Sequence, residues 1–229
     1  MKATHMNKTL PTQSSQRVAD FLAKAQASHR GRLMFIVDAT GSRERAWDMA
    51  SKLQVEMFNA AAGIGTLDVQ VCYFRGGGYG PAECKASPWS TDARELTSFM
   101  ARVTCLTGST QIQAALEHAR KEHRAQPINA IVYVGDMCEE RPQAIYDAVA
   151  SLAGVPCFVF QEGDDDVIAG PIFQEMARLS RGAYSKFSSE SARELAELLR
   201  AVAVFATGGL TALADLRTEG ARKLLGQMK

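Results

Sequence analysis

The chain has 229 residues, 46% of them hydrophobic and 22% charged. That is ordinary globular composition and excludes collagen-like, low-complexity and fully disordered classes. Lys and Arg number 26 against 25 Asp and Glu, a net charge of +1, so no overall field favours nucleic acid or anionic lipid. No uninterrupted run of about 20 apolar residues exists, and the expectation is a protein with neither a membrane nor a nucleic-acid partner.

In chain order, residues 1–16 are a polar tail without the apolar segment of a secretory signal. Leu33–Val37 is a continuous apolar run ending in Asp38, the pattern of a strand buried on both faces. Ala46, Met49, Ala50, Leu53 and Met57 follow at helical spacing. Leu67–Phe74 is β-rich, the glycines of Gly76–Gly80 make a turn, and Glu83–Ala86 returns as an antiparallel edge strand. Helices are predicted around Leu96–Val103 and around Ile112–Ala119, then a buried strand at Ala130–Val134 ending in Gly135 and Asp136. A helix carrying Ile145 and Val149, a strand at Pro156–Phe160, a helix carrying Ile172 and Met176, and a short strand at Ala183–Lys186 complete the alternation. Leu195, Leu198, Leu199, Val202 and Phe205 form the cleanest helical stripe. Gly208 and Gly209 break that helix, and Leu210, Leu213, Leu216, Leu224 and Leu225 outline an amphipathic appendage expected to fold back.

Strands alternating with helices imply one doubly wound α/β domain, a mostly parallel sheet covered on both faces. It is expected over residues 17–206, with residues 207–229 as the helical appendage. Five cysteines, odd in number and without a CxxC pair, support neither a zinc site nor a disulfide framework, and point to a reducing, cytoplasmic compartment.

The chemistry concentrates at the end of the first core strand, in Asp38-Ala39-Thr40-Gly41-Ser42. Ligands of open α/β sheets bind at the carboxyl ends of strands, and the alternate spacing puts one carboxylate and two hydroxyls on one side of a tight loop. Such hard oxygens suit Mg²⁺ or Mn²⁺ better than zinc. Two later loops bring more oxygens: Thr107-Gly108-Ser109-Thr110 before a helix, and Asp136 at the end of a strand.

In these three segments the chain resembles the von Willebrand factor A (VWA) domain family, of the intracellular bacterial type, with its metal-ion-dependent adhesion site. Asp38-Ala39-Thr40-Gly41-Ser42 looks like the first loop, Thr110 matches the threonine of the second, and Asp136 the aspartate of the third. The resemblance runs from about Gly31 to Phe205. It implies six strands in the order 3-2-1-4-5-6 with strand 3 antiparallel, and a Mg²⁺ or Mn²⁺ site formed by Asp38, Thr40, Ser42, Thr110 and Asp136. It further implies a non-enzymatic module in which the ion accepts an acidic side chain of a protein partner. The chain departs from the family pattern in three places. Thr40 replaces the commoner serine, Arg43 stands at the rim where relatives carry methionine, and Gly135-Asp136-Met137 replaces T-D-G. Glu139 and Glu140 read as a solvated loop, with compensation for the altered third loop as the other reading.

Two rival readings remain from the residues. A metal-dependent phosphohydrolase would use Asp38 as nucleophile, but the second acid it needs two residues later is Thr40. A metal-free interaction scaffold needs only the fold. Asp164–Asp166 reads as a solvated loop, Cys138 as a small loop or core residue, and His118 as a surface residue without a partner histidine at helical spacing.

Overall fold

The computed structural model describes residues 30–43, 67–77, 81–163, 167–188 and 192–228. The helix expected over Ala46–Met57, the start of the 17–206 domain and the Asp164–Asp166 loop lie outside the described residues. Six strands form one sheet: β1 (Gly31–Asp38), β2 (Leu67–Gly76), β3 (Ala82–Ala86), β4 (Ala130–Gly135), β5 (Cys157–Glu162) and β6 (Ala183–Phe187). Their order is β3-β2-β1-β4-β5-β6, parallel except for the antiparallel β2–β3 pair at the edge. This is the doubly wound sheet expected, with its third strand reversed.

Period-2 alternation divides the apolar side chains between two layers. Leu33, Phe35 and Val37 of β1 face one side with Val71, Val132 and Phe158, while Met34 and Ile36 face the other with Cys72, Tyr133 and Val159. All eight residues of β1 are buried, because helices cover both faces, and that is why its sequence is a continuous apolar run. The first layer is closed by α1 (Ala93–Met100), α5 (Ala192–Asp215) and α6 (Glu219–Leu225). The second is closed by α2 (Ile112–Ala125), α3 (Pro142–Ala150) and α4 (Ala169–Leu179).

Local chemistry sets the helix ends. Asp92 accepts a hydrogen bond from the Arg94 N–H at 2.8 Å and starts α1; Pro142 opens α3 with its fixed φ. Gly209, at φ 65° and ψ −159°, takes a conformation closed to most side chains and kinks α5. Beyond the kink Leu213, Ala221 and Leu224 are buried in the first layer, and Gln227 Oε1 accepts the Tyr184 N–H at 2.9 Å. The C-terminal segment thus folds back onto the sheet. Within α5, Arg193–Asp215 is long and apolar enough to cross a membrane by length and composition alone. Leu195, Leu198, Leu199 and Val202 on it are packed in the core of the domain.

Candidate functional site

The register fixes which side chains meet at the carboxyl end of the sheet. Asp38 lies opposite Phe74 of β2, Val37 opposite Val134 of β4, and Gly135 opposite Gln161 of β5. Asp38, Asp136 and Glu162 therefore leave three adjacent strands at the same end, beside the point between β1 and β4 where the strand order reverses. The loop after β1 is held from two sides. The Ala39 N–H donates to the Phe74 carbonyl at 2.9 Å, and the Leu106 N–H donates to the Ala39 carbonyl at 3.1 Å. A short 3₁₀ turn, Gly41–Arg43, follows. At Gly41 a Cβ would lie 3.0 Å from the Thr107 hydroxyl, so glycine lets the first and second loops close on each other.

Asp38, Thr40 and Ser42 lie close together on this loop. Asp38 Oδ1 accepts the Thr40 N–H at 2.7 Å, and the Thr40 and Ser42 hydroxyl oxygens are 3.2 Å apart. Asp38 is fully buried. Burial pushes its carboxyl up to about 7, with nearby Asp136 adding to the rise and Thr40 and Arg43 opposing it. Among the described residues, Asp38 Oδ2 and Asp136 Oδ1 are both buried without a hydrogen-bond partner. A buried carboxylate oxygen without a donor is costly unless a proton, a water or a cation meets it. Two such oxygens beside two hydroxyls make a hard-oxygen donor set, which fits a small divalent cation. Among the described residues no three Asp, Glu, His or Cys side chains gather as a metal cluster; the donors here are two carboxylates and hydroxyls.

The second and third loops are bound to each other more tightly than the sequence suggests. The Thr110 N–H donates to Glu139 Oε2 at 2.9 Å, and the Glu139 N–H donates to the Thr110 hydroxyl at 3.1 Å. Glu140 accepts from the Ile112 N–H at 2.5 Å and the Gln113 N–H at 2.9 Å, supplying the N-terminal cap that Gln111 does not give α2. The expectation of a solvated loop holds for exposed Glu139 and is corrected for half-buried Glu140, and both acids accept backbone donors of the second loop. Thr110 is 4% exposed, so Thr110→Ala costs stability as well as an oxygen donor. The second loop also presses on β2. A Cβ at Gly108 would overlap the Gly76 carbonyl, a backbone group unable to give way. Gly108→Ala is expected to lower stability by about 1–3 kcal/mol, which urea unfolding of the two proteins will read.

Arg43 overturns a further expectation. It is not a cation at the rim: its side chain is fully buried and pairs with Glu162 Oε2 at 2.5 Å. The pair is a charge contact without hydrogen-bond geometry, and among the described residues no guanidinium nitrogen has a hydrogen-bond acceptor. Burial raises the Glu162 carboxyl, Arg43 lowers it and Asp136 raises it.

Sequence reasoning also missed Tyr133. Its hydroxyl is buried and unpartnered, and burial together with Asp38, Cys138, Asp136 and Glu140 holds it well above the ordinary phenol range. The ring therefore reaches beneath the site. A Cβ at Gly135 would collide with that hydroxyl, which explains why glycine stands where the resemblance expects threonine; the departure itself was the signal. Cys138 is buried in the second layer as expected. His118 is half-buried rather than on the surface, its Nε2 3.0 Å from Gln70 Oε1.

No protein-family model and no curated protein matches the sequence. Solved structures do. A von Willebrand factor type A protein from Catenulispora acidiphila aligns with a TM-score of 0.62 at 17% identity, over 78% of this chain and 43% of that one. The SpRpn10 VWA domain aligns at 0.58 and 12%, over 78% of this chain and 98% of that domain. The chain has a VWA fold. An aerotolerance-related membrane protein from Bacteroides fragilis shares this VWA fold at a TM-score of 0.57 and 17% identity, over 74% of this chain and 98% of that one. The chain spans less than half of the Catenulispora protein.

Proposed function

We propose that the chain is a non-enzymatic, metal-dependent protein-binding module of the cytoplasm, akin to the intracellular bacterial VWA proteins. Mg²⁺ or Mn²⁺ is the ion, and Asp38, Thr40, Ser42, Thr110 and Asp136 are the residues that would hold it, directly or through water. The observation that carries this reading is the pair of buried, unpartnered carboxylate oxygens, Asp38 Oδ2 and Asp136 Oδ1, at one end of the sheet. A bound divalent cation supplies a Lewis-acidic position for an acidic side chain of the partner, combining charge attraction with directed geometry.

The chain's own residues do the rest. Thr40 orients the Asp38 carboxylate through its N–H, and Glu139 and Glu140 fix the third loop against the second. The VWA fold of the neighbours supports an interaction role in general terms. The phosphohydrolase reading fares worse. Asp38 is fully buried, which suits ion or water binding and not in-line attack on an exposed phosphate ester. Thr40 stands where the second acid is needed.

Calorimetric titration of Mg²⁺ and Mn²⁺ tests the reading. The wild type is expected to bind, and Asp38→Ala to lose binding while keeping its circular dichroism. Undiminished affinity in a folded Asp38→Ala protein would refute the assignment.

A further inference from the structure

Two thiols on the β2–β3 hairpin carry a chemistry unrelated to the ion site. Cys72 is fully buried on the second-layer face of β2, and Cys84 lies half-buried on β3. In the antiparallel register Cys72 opposes Ala86 and Cys84 opposes Phe74. The two cysteines are thus diagonal neighbours on one face of the hairpin, with sulfurs 3.7 Å apart. A disulfide requires about 2.05 Å between sulfurs. The remaining approach falls to side-chain rotation and to β3, the edge strand, which is held in the sheet by β2 alone.

We propose that Cys72 and Cys84 close into a reversible disulfide when the protein meets a low-molecular-weight disulfide, with Cys84 as the attacking thiol and Cys72 as the resolving one. The Cys84 thiolate attacks one sulfur of the small disulfide, forming a mixed disulfide and expelling one small thiolate, which takes up a proton. The Cys72 sulfur then loses its proton and attacks Cys84 Sγ, expelling the second small thiol. Two protein thiols are oxidised to one disulfide and one small disulfide is reduced to two thiols, so atoms and electrons balance.

Access sets the order, because only Cys84 reaches solvent. Electrostatics agree: the sulfur–sulfur contact holds the Cys84 thiol below its ordinary value, while the same contact and burial push Cys72 well above it. Cys157, fully buried and pushed up to about 12, is inert by comparison.

The test is incubation of the whole protein with oxidised glutathione at neutral pH, followed by trypsin digestion without reduction. The wild type is expected to lose two of its five thiols and to yield the peptides ending at Arg75 and Lys85 joined, two hydrogens lighter than their sum, a link that dithiothreitol removes. Cys72→Ser should stop at a glutathione adduct on Cys84, and Cys84→Ser and Cys84→Ala should each leave Cys72 unreacted. A wild type that retains the glutathione adduct on Cys84 with Cys72 free would overturn the proposal. So would one whose two thiols both survive conditions that close a control dithiol peptide.

Discussion

Asp38→Asn is expected to make the metal-free protein more stable at pH 8 and to remove most of its loss of stability between pH 4 and pH 7. The cause is the buried carboxyl with an unpartnered Oδ2, pushed up to about 7 in the folded chain. An unfolded aspartate loses its proton near 3.9. Between these values the folded state binds more protons than the unfolded one, so stability falls as pH rises, in full measure only below the lower value and lost through the upper. Three units of separation correspond to about 4 kcal/mol of destabilisation by ionised Asp38 above pH 7. Asparagine escapes that cost but presents an amide to a pocket without a designed partner, which returns about 1–3 kcal/mol. The net gain at pH 8 is therefore about 1–3 kcal/mol in EDTA, read by urea unfolding at a series of pH values. A wild type whose stability is flat across this range, or a variant weaker than wild type at pH 8, would contradict the account of Asp38.

The second large effect is at Arg43. Arg43→Met leaves Glu162, whose side chain is only 13% exposed, without its cation, and breaking a buried pair by removing one partner costs about 3–5 kcal/mol. For a domain of this size that is a fall in Tm of roughly 6–20 °C. The loss has a pH signature. Without Arg43 the Glu162 carboxyl, already raised by burial and by Asp136, rises further, so it is neutral and tolerated in acid and charged and costly in base. The deficit should be larger at pH 8 than at pH 5. Removing both charges in Arg43→Met with Glu162→Leu is expected to recover most of the loss, since well-packed apolar replacements of a buried ion pair are often neutral. Calorimetric unfolding of the wild type, Arg43→Met, Glu162→Leu and the double variant at the two pH values gives the answer; additive losses in the double variant would show that the pair is not coupled.

These two residues also show what the sequence made legible. Asp38 was readable because it ends a run of apolar residues too continuous for anything but a strand covered on both faces, and such strands deliver ligands at their carboxyl ends. The sheet order and the reversed third strand followed from the resemblance and from the glycine turn after β2. Arg43 was misread because a single arginine in a polar loop is ordinarily solvated, and the acid that buries it belongs to β5, far along the chain. Glu140 was misread for a similar reason, although a clue existed: α2 starts after Gln111, a poor cap, so its first N–H groups had to find acceptors elsewhere. Tyr133 looked like any aromatic on a core strand. Only Gly135, where a Cβ would meet that hydroxyl, hinted that the ring extends beneath the site.

An ion held by Asp38 and Asp136 with the hydroxyls of Thr40, Ser42 and Thr110 is tested by anomalous diffraction from crystals equilibrated with Mn²⁺. A manganese peak is expected at the carboxyl end of β1 and β4, ligated by these oxygens directly or through water, and absent from Asp38→Asn crystals treated alike. Saturating Mn²⁺ with no peak there, or with the only peak at other residues, would contradict it.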